Sequence, residues 1–454
     1  MPEARNPATG ELLETYDPHD EAAVEQALER SQSAFEEWRD RPLREREQLL
    51  AQAGEVLREN KREYAETMTR EMGKPISQAI AEVEKCAWAC DHYAEYAGTY
   101  LQDEHHPSPP GVDARTVHDP LGPVLAVMPW NFPFWQVIRF AAPYLTAGNV
   151  GLLKHASNVP GCALALEEVF REAGYPEGVF QTLLIESDAV EDVLTDDRVR
   201  AATLTGSGPA GRAVAETAGK HLKKTVLELG GSDPFIVFPD ADLKAAIETG
   251  IHARNQNGGQ SCIAAKRFLV HTDVYEEFLS GLVDGFEDLV VGDPMDDKTD
   301  VGPQASPGLM ETLHEQVEAS VDAGATIETG GEPLDREGAY YPPTILTDVP
   351  RGCPADAEET FGPVAAVYEV ESESEAIELA NDTRFGLGAS IWSENRERAS
   401  QVARKIDAGC VYVNEMVKSD PRVPFGGVKD SGYGRELAEV GIKEFVNRKT
   451  VWVE

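Results

Sequence analysis

VLAVMPWNFP, residues 124–133, is the stretch from which the rest of the chain is read. An apolar β-rich run from 124 to 128 stops at Pro129. A side-chain amide, Asn131, then sits in a turn stiffened by Pro129 and Pro133. Apolar runs of similar length recur at 150–153, 201–204 and 225–229, with helix-sized segments between them at 161–173 and 208–221. Strands alternating with helices predict a parallel sheet. A second series at 235–238, 267–271, 364–370, 389–392 and 411–414 predicts another α/β unit beginning near Gly231. Upstream, residues 105–110 form a polar, proline-rich break. The first hundred residues read mainly as helix, with Asp17 as an N-cap and Pro18 in the first helical position. Val24, Ala27, Leu28, Ser31, Phe35 and Trp38 follow at helical spacing. Further helices are predicted at 44–59, at 61–72 and after Pro75. There is no internal repeat and no low-complexity segment.

The chain has 454 residues, too many for one core, so two or three domains are expected. No apolar run approaches the roughly 20 residues of a membrane span. Residues 1–10 lack a basic, apolar, small-residue signal pattern, so secretion is not expected. Asp and Glu total 80 against 41 Lys and Arg, a formal charge of −39. A surface of that sign repels phosphate backbones and anionic lipid, which argues against nucleic-acid and membrane partners. The acids are spread along the chain, as in folded proteins adapted to high salt, where screening is strong. The six cysteines, Cys86, Cys90, Cys162, Cys262, Cys353 and Cys410, show no metal-ligand spacing. They read mostly as buried thiols in a reducing, cytoplasmic compartment, and no metal site is expected.

Four segments carry chemistry. Asn257-Gly258-Gly259-Gln260-Ser261-Cys262 sets a thiol after glycines, which let the backbone approach a substrate closely. A thiolate is the strongest common side-chain nucleophile. Val226-Leu227-Glu228-Leu229-Gly230-Gly231 places a carboxylate among apolar residues at a strand end, where desolvation raises its pKa toward that of a general base. The Asn131 amide can donate to a developing oxyanion. Thr205-Gly206-Ser207-Gly208-Pro209-Ala210-Gly211 puts small residues at a strand-to-helix turn, where phosphate can meet a helix N-terminus. It is neither a G-x-G-x-x-G fingerprint in the usual place nor a P-loop. Taken singly, each segment also has a purely structural reading.

In chain order, amide donor, small-residue turn, glutamate and cysteine, the four segments resemble the aldehyde dehydrogenase superfamily. Glu359-Thr360-Phe361-Gly362-Pro363 and the 424–436 stretch, with Pro424-Phe425-Gly426-Gly427 and Gly434-Arg435-Glu436, extend the likeness through nearly the whole chain. The resemblance implies an α/β fold with a Rossmann-like cofactor domain (1–101 and 121–230), an α/β catalytic domain (231–430), and a β oligomerisation arm with a C-terminal tail (102–120 and 431–454). It implies a homodimer or homotetramer acting on a small-molecule aldehyde with NAD or NADP. Cys262 would attack the aldehyde, Asn131 and the Cys262 N–H would hold the oxyanion, and Glu228 would activate water. Trp130, Lys154, Ser157, Gly206, Ser207, Gly211, Glu359 and Phe361 would hold the dinucleotide. Ser157 stands where the family often has a glutamate on the ribose 2′-OH, which admits NADP, with Lys154 pairing its phosphate. His155 reads as a packing or surface residue.

Arg139 and the Ser419-Asp420-Pro421-Arg422 stretch resemble a short bacterial branch of succinate-semialdehyde dehydrogenases. Arg139, Ser419 and Arg422 are therefore expected on the substrate, with Gln256 in the place of a second carboxylate-binding arginine. A salt bridge to one of the many acids is the competing reading of Arg139. Other functions are open to the same sequence: a general dehydrogenase of another aliphatic aldehyde, a CoA-acylating enzyme, disfavoured by Glu228, and a catalytically idle binding protein, disfavoured by Cys262, Glu228 and Asn131 together.

Overall fold

Pro129 ends the strand Pro123–Met128, which lies inside a six-stranded sheet. In the computed structural model, which describes residues 2–454, that strand is flanked by Ala201–Thr205 and Val150–His155, both parallel to it. Lys224–Glu228 and Phe180–Thr182 extend the sheet on either side, again in parallel. These strands are short, apolar and buried, as expected of a sheet covered on both faces.

The N-terminal helices are α1 (Glu21–Trp38), α2 (Leu43–Glu59), α3 (Lys61–Met72) and α4 (Ile76–Tyr100). Between the strands of the sheet, in chain order, come α5 (Trp135–Thr146), α6 (Pro160–Glu172), α7 (Val190–Thr195) and α8 (Gly208–Lys220). The α1 cap is Asp20 rather than the expected Asp17: its carboxylate accepts from Ala23 N at 2.8 Å. His19 N donates to Leu184 O, holding the preceding residues to the body of the protein and delaying the helix. Residues 3–15, expected to lead into helix, instead hold a small hairpin of Glu3–Arg5 with Leu12–Thr15.

The second sheet has seven strands in the order Thr326–Thr329, Thr344–Thr347, Val364–Val370, Ala265–His271, Asp233–Val237, Gly388–Trp392 and Cys410–Val413. All pairings are parallel except that of Thr326–Thr329. Helix α9 (Leu243–Asn255) crosses over from Asp233–Val237 toward Ala265–His271. A three-stranded antiparallel arm pairs Val446–Val453 with Asp113–Pro120, and Asp113–Pro120 with Glu104–His105. Gly432–Tyr433 pairs antiparallel with Leu227 and Glu228 at the edge of the first sheet. Two residues are too few to show alternation in sequence.

Candidate active site

Two strand ends and two turns converge on Cys262. Helix α9 ends in a tight turn in which Asn257, Gly258 and Gly259 all take left-handed backbone, with φ of 55, 60 and 73°. A Cβ at Gly259 would stand 2.3 Å from the Gly362 carbonyl carbon, so only glycine lets the thiol-bearing loop lie against the 359–363 segment. Asn131 and this loop are tied together: Asn131 Nδ2 donates to Gln260 O at 3.0 Å, and Asn257 Nδ2 donates to Asn131 O at 2.7 Å. Lys266 Nζ donates to the carbonyls of Ser261 and Cys262, each at 2.9 Å, and lies 3.5 Å from Glu359. The guanidinium of Arg254 anchors the facing segment through Val364 O at 2.7 Å and Thr360 O at 3.0 Å.

Cys262 lies where two cavities meet. One, of about 270 Å³, is lined by Trp130, Asn131, Ser207, Glu228, Glu359 and Phe361. The other, of about 230 Å³, holds Lys85, Trp135, Arg139, Gln256 and Ser419. Cys262 and Gln136 belong to both. The other five cysteines are buried. Burial pushes the Cys262 thiol up to about 12, against the pull of the Arg139 and Lys266 cations.

Glu228 is buried at the end of its strand, with no hydrogen-bond donor to either carboxylate oxygen among the described residues. Desolvation, and then the Glu436 carboxylate, hold its pKa well above the usual range. A Cβ at Gly426 would come 2.6 Å from Glu228 Oε1, so a glycine there leaves the carboxylate its space.

In the larger cavity, Trp130 meets Phe361 edge-on at 5.7 Å, and Glu359 accepts from Gly231 N at 3.0 Å. Gly206 and Ser207 precede α8, whose first turn has neither a side-chain cap nor an acid. Gly211 packs this helix closely: a Cβ there would stand 2.6 Å from Leu229. Lys154 is buried at its strand end and Ser157 is exposed in the turn beyond, both outside the lining of this cavity. His155 is buried, hydrogen-bonded to Pro133 O at 2.9 Å, and pushed down to about 4 by burial.

The substrate-side candidates divide. Gln256, Ser419 and Arg139 line the smaller cavity, but Arg139 is already ion-paired with buried Glu436. Arg422 does not line it, a correction to the expectation above. Asp420, two residues earlier, takes its guanidinium through two bonds of 2.9 and 2.6 Å, and the side chain is largely exposed beside Trp88. Lys85, Gln136, Arg254 and Lys266 were missed. The partners of Lys85 and Arg254 lie far off in sequence, so no local pattern marks those two. Glu436 was visible only as part of the C-terminal motif.

A family model described as "Aldehyde dehydrogenase family" matches residues 2–451. The chain belongs to the aldehyde dehydrogenase family. Among its relatives is a probable NADP(+) succinate-semialdehyde dehydrogenase of Synechocystis, 54% identical over 99% of this chain and 98% of that one. The NADP(+) succinate-semialdehyde dehydrogenase of Mycobacterium avium is 51% identical over 99% and 96%. The solved succinic semialdehyde dehydrogenase of Streptococcus pyogenes, in complex with NADP+, superposes with a TM-score of 0.98 at 40% identity, covering 100% of both chains. An NAD-dependent aldehyde dehydrogenase of Sinorhizobium meliloti gives 0.96 at 34% identity, over 99% and 91%. The α/β architecture of the two large sheets is that of this family.

Proposed function

We propose that this aldehyde dehydrogenase oxidises succinate semialdehyde to succinate with NADP as the acceptor. The observation that carries the reading is the position of Cys262 at the junction of two cavities, so that two bound molecules meet at one thiol. The relatives named for this substrate and cofactor support it.

The larger cavity would take the nicotinamide end of a dinucleotide. The uncapped first turn of α8, behind Gly206 and Ser207, offers backbone N–H groups to a pyrophosphate. Trp130, Phe361 and Glu359 would flank the nicotinamide and its ribose. Ser157 brings no negative charge to a 2′-phosphate, and Lys154 brings a positive one. When bound, the nicotinamide accepts two electrons and a proton from the substrate carbon.

The chain does the rest. Cys262 gives up its proton to solvent, and its sulfur bonds to the aldehyde carbon. The oxygen that becomes negative is met by the Asn131 amide and the Cys262 N–H. After oxidation the carbon is a thioester. Glu228, a buried carboxylate whose pKa desolvation raises, takes a proton from water. The hydroxide adds to the thioester, the C–S bond breaks, and the carboxylate leaves.

The arm supports assembly as a dimer or tetramer, because Val446–Val453 forms a sheet edge carrying exposed Trp452 and Val453. The charge of −39 supports a high-salt cytoplasm, and six free cysteines a reducing one. Among the described residues no helix is long and apolar enough to cross a membrane. Comparison of kcat/KM for succinate semialdehyde and butanal, with NADP and NAD in turn, tests the assignment. A clear preference for the first of each pair supports it, and equal values for the two aldehydes refute the substrate.

A further inference from the structure

We propose that Lys85 is the side chain that binds the far carboxylate of the substrate, with Ser419 as its partner. The inference rests on the succinate-semialdehyde reading and names the receptor for its charge.

The smaller cavity is lined by four cationic side chains, Lys74, Lys85, Arg139 and Lys418, and by one carboxylate, Glu82. Three of the cations already have a carboxylate partner. Lys418, nearly half exposed, pairs with Glu415 at 2.8 Å, whereas Lys74 is ion-paired with buried Glu82, and Arg139 with buried Glu436. Drawing either onto a substrate would strip a buried carboxylate of its partner, which is strongly destabilising. Lys85 is different. Among the described residues no carboxylate forms an ion pair with it; its ammonium meets Ser419 Oγ at 2.9 Å and the face of Trp135 at 4.1 Å.

Ser419 completes the receptor. Its oxygen accepts from Lys85 Nζ and, at 2.8 Å, from the Trp135 indole N–H. With two donors on the oxygen, the hydroxyl proton is left to donate elsewhere. Lys85 has further N–H groups to give, because an ammonium has three and Ser419 takes one. An ammonium and a hydroxyl therefore stand side by side on the wall of the cavity that ends at Cys262. A four-carbon acid with an aldehyde at its other end presents a carboxylate to such a pair. Desolvation and the Arg139 charge hold the Lys85 amine down at about 8, and an anion would relieve both.

The test is the selectivity ratio, kcat/KM for succinate semialdehyde over kcat/KM for butanal, in the full-length enzyme with NADP. In Lys85→Met the ratio falls about 10- to 100-fold, carried by KM for the charged aldehyde, as for loss of a hydrogen-bonded charge. Lys85→Arg keeps most of it. A wild-type preference that survives Lys85→Met overturns this inference alone. A wild-type enzyme with no preference overturns the substrate reading and this inference with it. Should Lys85→Met be recovered unfolded, Lys85→Gln, which keeps length and polarity but not charge, is read in the same way.

Discussion

Arg139 is ion-paired with Glu436 in a site where neither side chain is more than 2% exposed. Arg139 lines the smaller cavity, and the charges of both partners act on Glu228, so one guanidinium bears on packing and on acidity together. Removing it leaves Glu436 buried and alone. Arg139→Met is expected to lower folding stability by about 3–5 kcal/mol, the usual penalty for breaking a buried pair. Denaturant unfolding checks this. A variant as stable as the wild type would show that the pair carries little.

Glu228 offers a kinetic signature. Glu228→Gln retains the thiol and the cofactor cavity but loses the base, so a first burst of NADPH is followed by turnover slowed about 10²- to 10⁴-fold. Rapid mixing at 340 nm reads both phases. The pH dependence has a definite sign: a carboxyl whose pKa is raised is protonated and idle at low pH, so the wild-type rate climbs as pH rises through its titration.

Glu71 accepts from Gly161 N at 2.8 Å and Cys162 N at 2.9 Å, closing the start of α6, and burial pushes it up to about 7. Its folded pKa lies above the unfolded one near 4.5. The stability it contributes is full below that unfolded value and is lost as pH rises to about 7. Glu71→Gln does not titrate. The difference in Tm, variant minus wild type, should therefore grow between pH 5.5 and pH 8. A constant difference would mean that Glu71 is not buried as a neutral acid.

The charge of −39 predicts a response to salt. Raising KCl from about 0.1 to 1 M shortens the screening length from roughly 10 to 3 Å. Repulsion between surface acids weakens, so Tm rises. A flat or falling Tm would separate the acidity from any adaptation to salt.

Lys61–Met72 and Val364–Val370 were legible to the residue, because helical and strand periodicity there run uninterrupted between clear breaks. Asp17 was misread as a cap because Asp17-Pro18 and Asp20-Glu21 both satisfy local helix-start chemistry. The choice between them is made by a tertiary bond from His19 to Leu184. In the site, Cys262, Glu228 and Asn131 each lie in a motif with its own glycines or prolines, so sequence marked them. Lys85 meets Ser419 across 334 positions of chain, and Arg254 holds a carbonyl 110 residues away. Nothing near them in sequence announces either role. Arg422 was misjudged for the opposite reason: Asp420 beside it in the chain takes its charge before any substrate can.

The central claim is that both half-reactions pass through one sulfur. The most direct measurement compares wild type and Cys262→Ala, both shown to be folded, for NADPH formation from succinate semialdehyde at 340 nm. It is paired with mass analysis of wild-type protein quenched during turnover. The account predicts no NADPH from the variant, and an acyl adduct on the wild-type peptide that contains Cys262. Turnover that persists in Cys262→Ala, or an adduct on another residue, would contradict it.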